Sequence, residues 1–269
     1  MSSSNTRMTK AERRDAAREK ARQLRAEQVK REKRNRMLVI GGVVAFLVVV
    51  AIAVYSIVSA GTQPEIEQVE TVPANTSVED GGISFGESLT AGTSNEGAPE
   101  ISVYQDYTCV YCSQFEELNG EDVAELAESG EATFVVHPIA LLDRSGNFSA
   151  YSGRSTHAAG VVADQAPEQF LAANEALFDL YDEARDAGGE EPGAAEIRQA
   201  LTDAGIPEEV AVEATPEDIA EGTFYDWVRA TTEQASQDGI SGTPTVYVEG
   251  EVFEGWTEEG ALAEAVRNS

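Results

Sequence analysis

The only two cysteines in the chain, Cys109 and Cys112, stand three positions apart, where a strand pattern gives way to a helical one. Thiol chemistry at that spacing narrows quickly. A structural disulfide usually joins distant segments, and a four-residue ring would constrain the unfolded chain by only about 2 kcal/mol. Structural zinc normally takes four Cys or His ligands, and His137 and His157 are the only histidines available, so no metal site is expected. Covalent haem attachment needs His after the second cysteine, and Ser113 stands there. An oxidising compartment disfavours leaving two neighbouring thiols unused. Redox exchange remains, and it calls for no cofactor.

A cysteine in the first turn of a helix faces unpaired backbone N–H groups and the positive dipole end, which favour thiolate over thiol. Cys109 is therefore expected to be the exposed nucleophile, and Cys112, one turn later and more interior, the resolving thiol. Asp106 is a candidate nearby carboxylate, with a plain strand-end polar residue as its ordinary reading. Remote in sequence, Ile240-Ser241-Gly242-Thr243-Pro244-Thr245 sets a proline at the opening of a strand, where its missing N–H removes a ladder bond. Taken alone it reads as an ordinary trans proline.

The elements around these residues follow from their patterning. Ile101, Val103 and Tyr104 lead a strand into the cysteine pair, and Phe115, Leu118, Val123 and Leu126 mark a helix expected to break or kink near Gly120. Thr133–Val136, bounded by Gly130 and Pro138, reads as a second strand. Helices are expected over Ser155–Asp164, Pro167–Asp182 and Ala194–Ala204, the last stopped by Gly205, with another capped by the Thr215–Asp218 stretch. The chain closes with a hairpin, Thr245–Glu249 and Val252–Glu254 about a Gly250-Glu251 turn, then a helix capped by Thr257. His137 and His157 lack ligand neighbours and read as structural. Trp227 and Trp256 read as core or core-edge residues.

Charge divides the chain sharply. Residues 1–36 carry 13 Lys/Arg against 5 Asp/Glu, whereas residues 61–269 carry 6 Arg, no Lys and 43 acids. Between them lie the 24 uncharged, mostly apolar residues Met37 to Ala60, enough to cross a hydrocarbon core of about 30 Å at about 1.5 Å per residue. Arg31, Lys33, Arg34 and Arg36 put the N-terminus inside. A cleaved signal peptide ending at Val58-Ser59-Ala60 competes, but the apolar run exceeds the usual length of about 7–15 residues. The expected organisation is a basic cytoplasmic leader (1–36), a single transmembrane helix (37–60), and a flexible extracytoplasmic tether (61–98) with a short strand at Ile83–Phe85. The folded domain would then occupy 99–269. Its acidic exterior disfavours nucleic acid as a partner, and resembles that of proteins adapted to high salt.

The segment Tyr104-Gln105-Asp106-Tyr107-Thr108-Cys109-Val110-Tyr111-Cys112-Ser113-Gln114-Phe115-Glu116 resembles the active-site region of the DsbA-like thioredoxin-fold proteins of bacterial envelopes. Gly239 to Gly250, with Gly242-Thr243-Pro244-Thr245 inside it, is similar to that family's cis-proline loop. Pro167–Phe170, Glu175–Phe178 and His137-Pro138 also fit, and the likeness covers about 80 to 269. It implies an α/β thioredoxin fold with a helical subdomain inserted at roughly 145–235. It implies a cis Pro244 beside the cysteines, Thr243 offering backbone hydrogen bonds to substrate, exported proteins as partners, and a membrane redox protein that resets the pair. Three positions depart from the family pattern: Val110 replaces a common proline, Tyr111 replaces the histidine of the strong oxidants, and Val103 stands where many thioredoxin-fold enzymes carry a buried acid. These put the direction of electron flow in question. A tethered binding or chaperone module with idle cysteines, and a reductase dedicated to one client, are the alternative functions.

Overall fold

The computed structural model describes Val50 and residues 65–269, so the basic leader and the apolar run lie outside the described residues apart from Val50. Among the described residues, no helix is long and apolar enough to cross a membrane.

The described residues from 65 onward form one compact unit. Five strands, β1 (Ile83–Phe85), β2 (Glu100–Gln105), β3 (Thr133–Pro138), β4 (Thr245–Val248) and β5 (Glu251–Val252), form a single sheet in the order β1-β3-β2-β4-β5. The β2–β3 pair is parallel and the other pairs are antiparallel. A parallel pair needs a crossover, and helix α1 (Val110–Glu128) supplies it. β3 is buried along its whole length and β2 from Ile101 onward, as expected of central strands covered on both faces. On one face Ile101, Val103 and Val136 join the main core with Phe115 and Leu126. On the other, Tyr104 packs with Ile139, Ala235 and Ile240.

Between β3 and β4 the chain makes a helical insert: α2 (Tyr151–Gln165), α3 (Phe170–Asp186), α4 (Ala194–Asp203), α5 (Glu208–Ala214) and α6 (Tyr225–Gln237). α7 (Ala261–Arg267) ends the fold. Trp227 on α6 is fully buried at its centre, and Trp256 packs at the core edge against Phe115.

Several expectations change. Residues 65–98 are packed onto the domain, not strung out as a tether. Ile66 is buried, the Glu65 N–H donates to Gln234 Oε1 at 2.8 Å, and Asn95 Nδ2 donates to the carbonyls of Ala127 and Ala132. The short strand at Ile83–Phe85 is present and pairs with β3. α1 runs unbroken through Gly120. The hairpin turn is Glu249-Gly250, one residue earlier than expected; both residues have positive φ, the type I′ pattern that matches strand twist. α5 was not anticipated, although Pro207 followed by Glu208 and Glu209 suits a helix start. Asp218 caps only a single turn, Ile219–Glu221, and α6 begins later, at Tyr225. Thr257 ends a short turn, and α7 starts after Gly260.

Candidate functional site

The cysteine pair sits where β2 hands over to α1, and the handover is built by Asp106. Its Oδ1 accepts the Thr108 N–H at 2.9 Å and the Thr108 hydroxyl at 2.7 Å, and the Cys109 N–H donates to its carbonyl oxygen at 2.9 Å. The loop is thereby folded into a tight turn that delivers Cys109 to the N-cap of α1 in extended conformation. Oδ2 of the same carboxylate accepts the Leu142 N–H at 2.8 Å and the Ser152 hydroxyl at 2.7 Å, joining the turn to the segment after β3 and to α2. Asp106 is fully buried. Burial pushes its carboxyl pKa up, and the four donors work against that shift. Its ordinary reading as a strand-end polar residue therefore gives way to a structural hub.

Tyr107 anchors the turn from below. Its ring packs on Phe178 of α3 and its hydroxyl donates to Asn174 Oδ1 at 2.9 Å, where Gln105 Nε2 also donates at 2.6 Å. This buried network was not visible in the sequence, because its partners are nearly 70 positions apart and share no periodic pattern.

Both cysteines are free thiols here. Cys109 is 8 % exposed and Cys112 1 %, so the nucleophile candidate is more enclosed than expected while still the more open of the two. Cys109 Sγ donates to the Thr243 carbonyl oxygen at 3.1 Å, and the Thr243–Pro244 peptide bond is cis. Residues 134 positions apart are thus joined at one point.

The thiols are electrostatically unlike. The Cys109 pKa is lowered to about 6. The Cys112 thiol beside it contributes most, and burial opposes the shift. The Thr243 side chain and the backbone N–H groups of Cys112 and Tyr111 add to the lowering. The Cys112 pKa is pushed up, by burial first and then by its neighbour Cys109. Near neutral pH the pair therefore carries one thiolate and one thiol.

Val110 and Tyr111, between the cysteines, are 50 % and 64 % exposed, and Leu142 is exposed alongside. One turn beyond Cys112, Glu116 has its carboxyl pushed up to about 7, by burial first and then by Glu175 and Asp179, with the Asn174 amide working against the shift. Ser113 donates a short hydrogen bond to Asp182 of α3, fastening α1 to the insert.

The two histidines are structural. His137 is buried, with its pKa lowered chiefly by desolvation, and its ring stacks on Tyr104 at 4.1 Å. His157 is buried with Nδ1 3.1 Å from the Ala214 carbonyl oxygen, while its Nε2 accepts the Phe224 N–H at 3.4 Å. That pattern suits a neutral ring protonated at Nδ1.

Residues 87–268 match the family model described as Thioredoxin. No curated protein matches the chain. Among solved structures it is similar to the MdbA protein of Actinomyces oris, a thiol-disulfide oxidoreductase, at 25 % identity. That match covers 77 % of this chain and 91 % of the other, with a TM-score of 0.62. It is also similar to the reduced disulfide bond oxidoreductase DsbG of Mycobacterium tuberculosis, at 26 % identity over 70 % of this chain and 86 % of that one, with a TM-score of 0.55. The oxidised DsbA of Mycobacterium tuberculosis gives 26 % identity, coverage of 70 % and 91 %, and a TM-score of 0.55.

Proposed function

The chain belongs to the DsbA-like thioredoxin-fold family of thiol–disulfide oxidoreductases, and from that premise we propose that it exchanges disulfides with exported polypeptides, Cys109 as nucleophile and Cys112 as resolving thiol. The observation that carries the assignment is the split between the two sulfurs: a helix-capping thiol with its pKa lowered to about 6, beside a more deeply buried thiol shifted the other way.

In the reducing direction the Cys109 thiolate attacks a client disulfide. A Cys109–client bond forms and the distal client sulfur leaves as thiolate. Cys112 then loses its proton and attacks Cys109, so that the intramolecular disulfide forms and the second client thiolate departs. Two electrons pass to the client. In the oxidising direction a client thiolate attacks Cys109, Cys112 leaves and takes up a proton, and a second client thiolate releases Cys109. A low Cys109 pKa favours that last step, because a more acidic thiol is the better leaving group. Thr243 and the cis Pro244 border Cys109 and suit a role in lining up an extended client segment.

Met37–Ala60 supports a single-pass anchor with the acidic domain outside the cell membrane, and the family likeness supports a membrane redox protein as the recycling partner. Protease added to spheroplasts should release the domain from a protein otherwise found in membranes. A mature secreted form beginning at Gly61 would overturn the anchor.

The chemical test is trapping. Cys112→Ala should accumulate a mixed disulfide between Cys109 and client, visible as a reducible adduct. Alkylation of the reduced protein near neutral pH should modify Cys109 first. Preferential labelling of Cys112 would reverse the assignment.

A further inference from the structure

A groove of about 700 Å³ runs beside the redox pair between α1 and α3, beginning at Ser113, the residue after Cys112. Its floor is apolar, formed by Val123 and Phe134 on one side and Leu171 and Phe178 on the other. Its rim is acidic throughout: Glu116, Glu117 and Glu121 on α1 face Glu175, Asp179 and Asp182 on α3. Arg185, near its end, is already engaged by Asp182 and Asp186. Beneath the groove, Asn174 spends its Oδ1 on Gln105 and Tyr107. Its buried amide favours the Glu116 carboxylate.

An apolar floor with carboxylates on both walls suits a polypeptide segment. Apolar side-chain stems would lie on the floor and cationic heads would reach the walls. We propose that this groove docks the basic flank of a client, an Arg- or Lys-bearing segment adjoining the cysteine that exchanges with Cys109. This deepens the oxidoreductase reading and rests on it. From Cys109 to Glu117 the helix rises eight residues, about 12 Å at 1.5 Å per residue. An extended client covers that distance in about four residues at about 3.3 Å each. The preferred clients therefore carry their basic residues about four positions from the exchanging cysteine.

The test uses the oxidised full chain and dithiol peptides with an Arg pair four residues from the first cysteine, on either flank. Each is matched to a peptide with citrulline in place of arginine. The Arg peptide of one flank should be oxidised roughly tenfold faster than its citrulline twin, the scale of one good charge pair. Glu121→Gln, Glu175→Gln and Asp179→Asn together should bring that ratio to within about twofold, with the citrulline rate unchanged. The remote set Glu208→Gln, Glu209→Gln and Glu217→Gln should preserve it. A ratio near one in the unaltered chain, or an equal fall in both variants, would overturn the proposal; the second outcome would assign the preference to the overall field. Binding of the Arg peptide with both cysteines replaced by serine, read by fluorescence anisotropy, separates the two readings. Groove-dependent binding with no exchange of either peptide would leave the docking site standing and sink the oxidoreductase assignment.

Discussion

The redox turn and the helical insert both enclose polar side chains, and they use them in opposite ways. In the insert, Arg154 donates to the carbonyl oxygens of Ser149, Pro216 and Glu217, Arg198 to Thr215, and His157 reaches Ala214. Those bonds end mostly on backbone and hold α2, α4 and α5 in place. At the redox turn the polar groups have displaced protonation: Cys109 is held down chiefly by Cys112, and Cys112, Asp106 and Glu116 are pushed up chiefly by burial. A change in the first region should cost stability, and a change in the second should alter chemistry.

Trp227→Ala tests this division with the largest effect. Trp227 is fully buried at the centre of the insert, and its truncation should cost about 3–5 kcal/mol in denaturant unfolding. The Cys109 pKa of the folded fraction, followed by thiolate absorbance, should stay near its original value. A large shift would mean that the insert also tunes the thiol.

Asp106→Asn lies on the boundary and should move both readouts. An amide in that site sets a donor against the N–H or hydroxyl groups that now converge on the carboxylate, which costs about 1–3 kcal/mol. It should also loosen the turn that delivers Cys109 to its N-cap, changing the rate of alkylation. A loss of stability with an unchanged alkylation profile would make Asp106 a scaffold residue only.

Tyr111→His sharpens the comparison from the redox side. The wild-type pair is expected nearer a disulfide isomerase, about −180 mV, than the strongest envelope oxidant, about −120 mV. A Cys109 pKa of about 6 lies between those of thioredoxin, about 7, and of the strong oxidant, about 3.5. An imidazolium at position 111 should lower the Cys109 pKa and make the pair more oxidising by about 30 mV or less, because this side chain is largely exposed and its charge is screened. Glutathione equilibration of the wild type at the strong-oxidant value would refute the ordering.

The smallest effect is a pH slope. Burial lowers the His157 pKa, so the unfolded chain binds its proton more readily. Its contribution to stability is complete above about pH 6.5, the unfolded value, and is lost as pH falls below that. Glu116 has the opposite sign: with its folded pKa raised to about 7, its contribution is present below the unfolded value of 4.5 and is lost as pH rises through about 7. Melting temperatures of Glu116→Gln between pH 5 and 7 should therefore fall more steeply on acidification than those of the wild type. Parallel curves would show that Glu116 keeps its ordinary pKa.

How much of this was legible in sequence depended on range. The cysteine pair and the strand before it declare themselves by residue type and local spacing, whereas the Gly242–Thr245 loop reads by itself as an ordinary trans proline and gains its cis reading only from the family resemblance. Residues 65–98 declare themselves only at Ile83–Phe85, because the rest is held by scattered apolar anchors such as Ile66 and by long-range bonds such as Asn75 Nδ2 to the Ala163 carbonyl, and not by a periodic apolar face. A composition rich in Gly, Ser and Thr looks the same in a tether and in a tightly hydrogen-bonded wrap. The seven residues of α5 were too few to show a helical stripe. Glu249 in a left-handed conformation moved the hairpin turn against the glycine-based expectation.

The placement of β4 has a consequence for how the protein is made. β2 finds its antiparallel partner only in Thr245–Val248, and Cys109 meets Thr243 across 134 positions, so the centre of the sheet is a contact of high sequence separation. As the chain emerges N-terminus first, the two thiols appear long before the loop that completes their surroundings. Until the last few dozen residues arrive, Cys109 lacks its Thr243 contact and β2 lies open on one edge. A chain stopped short of residue 243 would therefore carry both cysteines without the loop that encloses Cys109 and without the strand that closes that edge of β2.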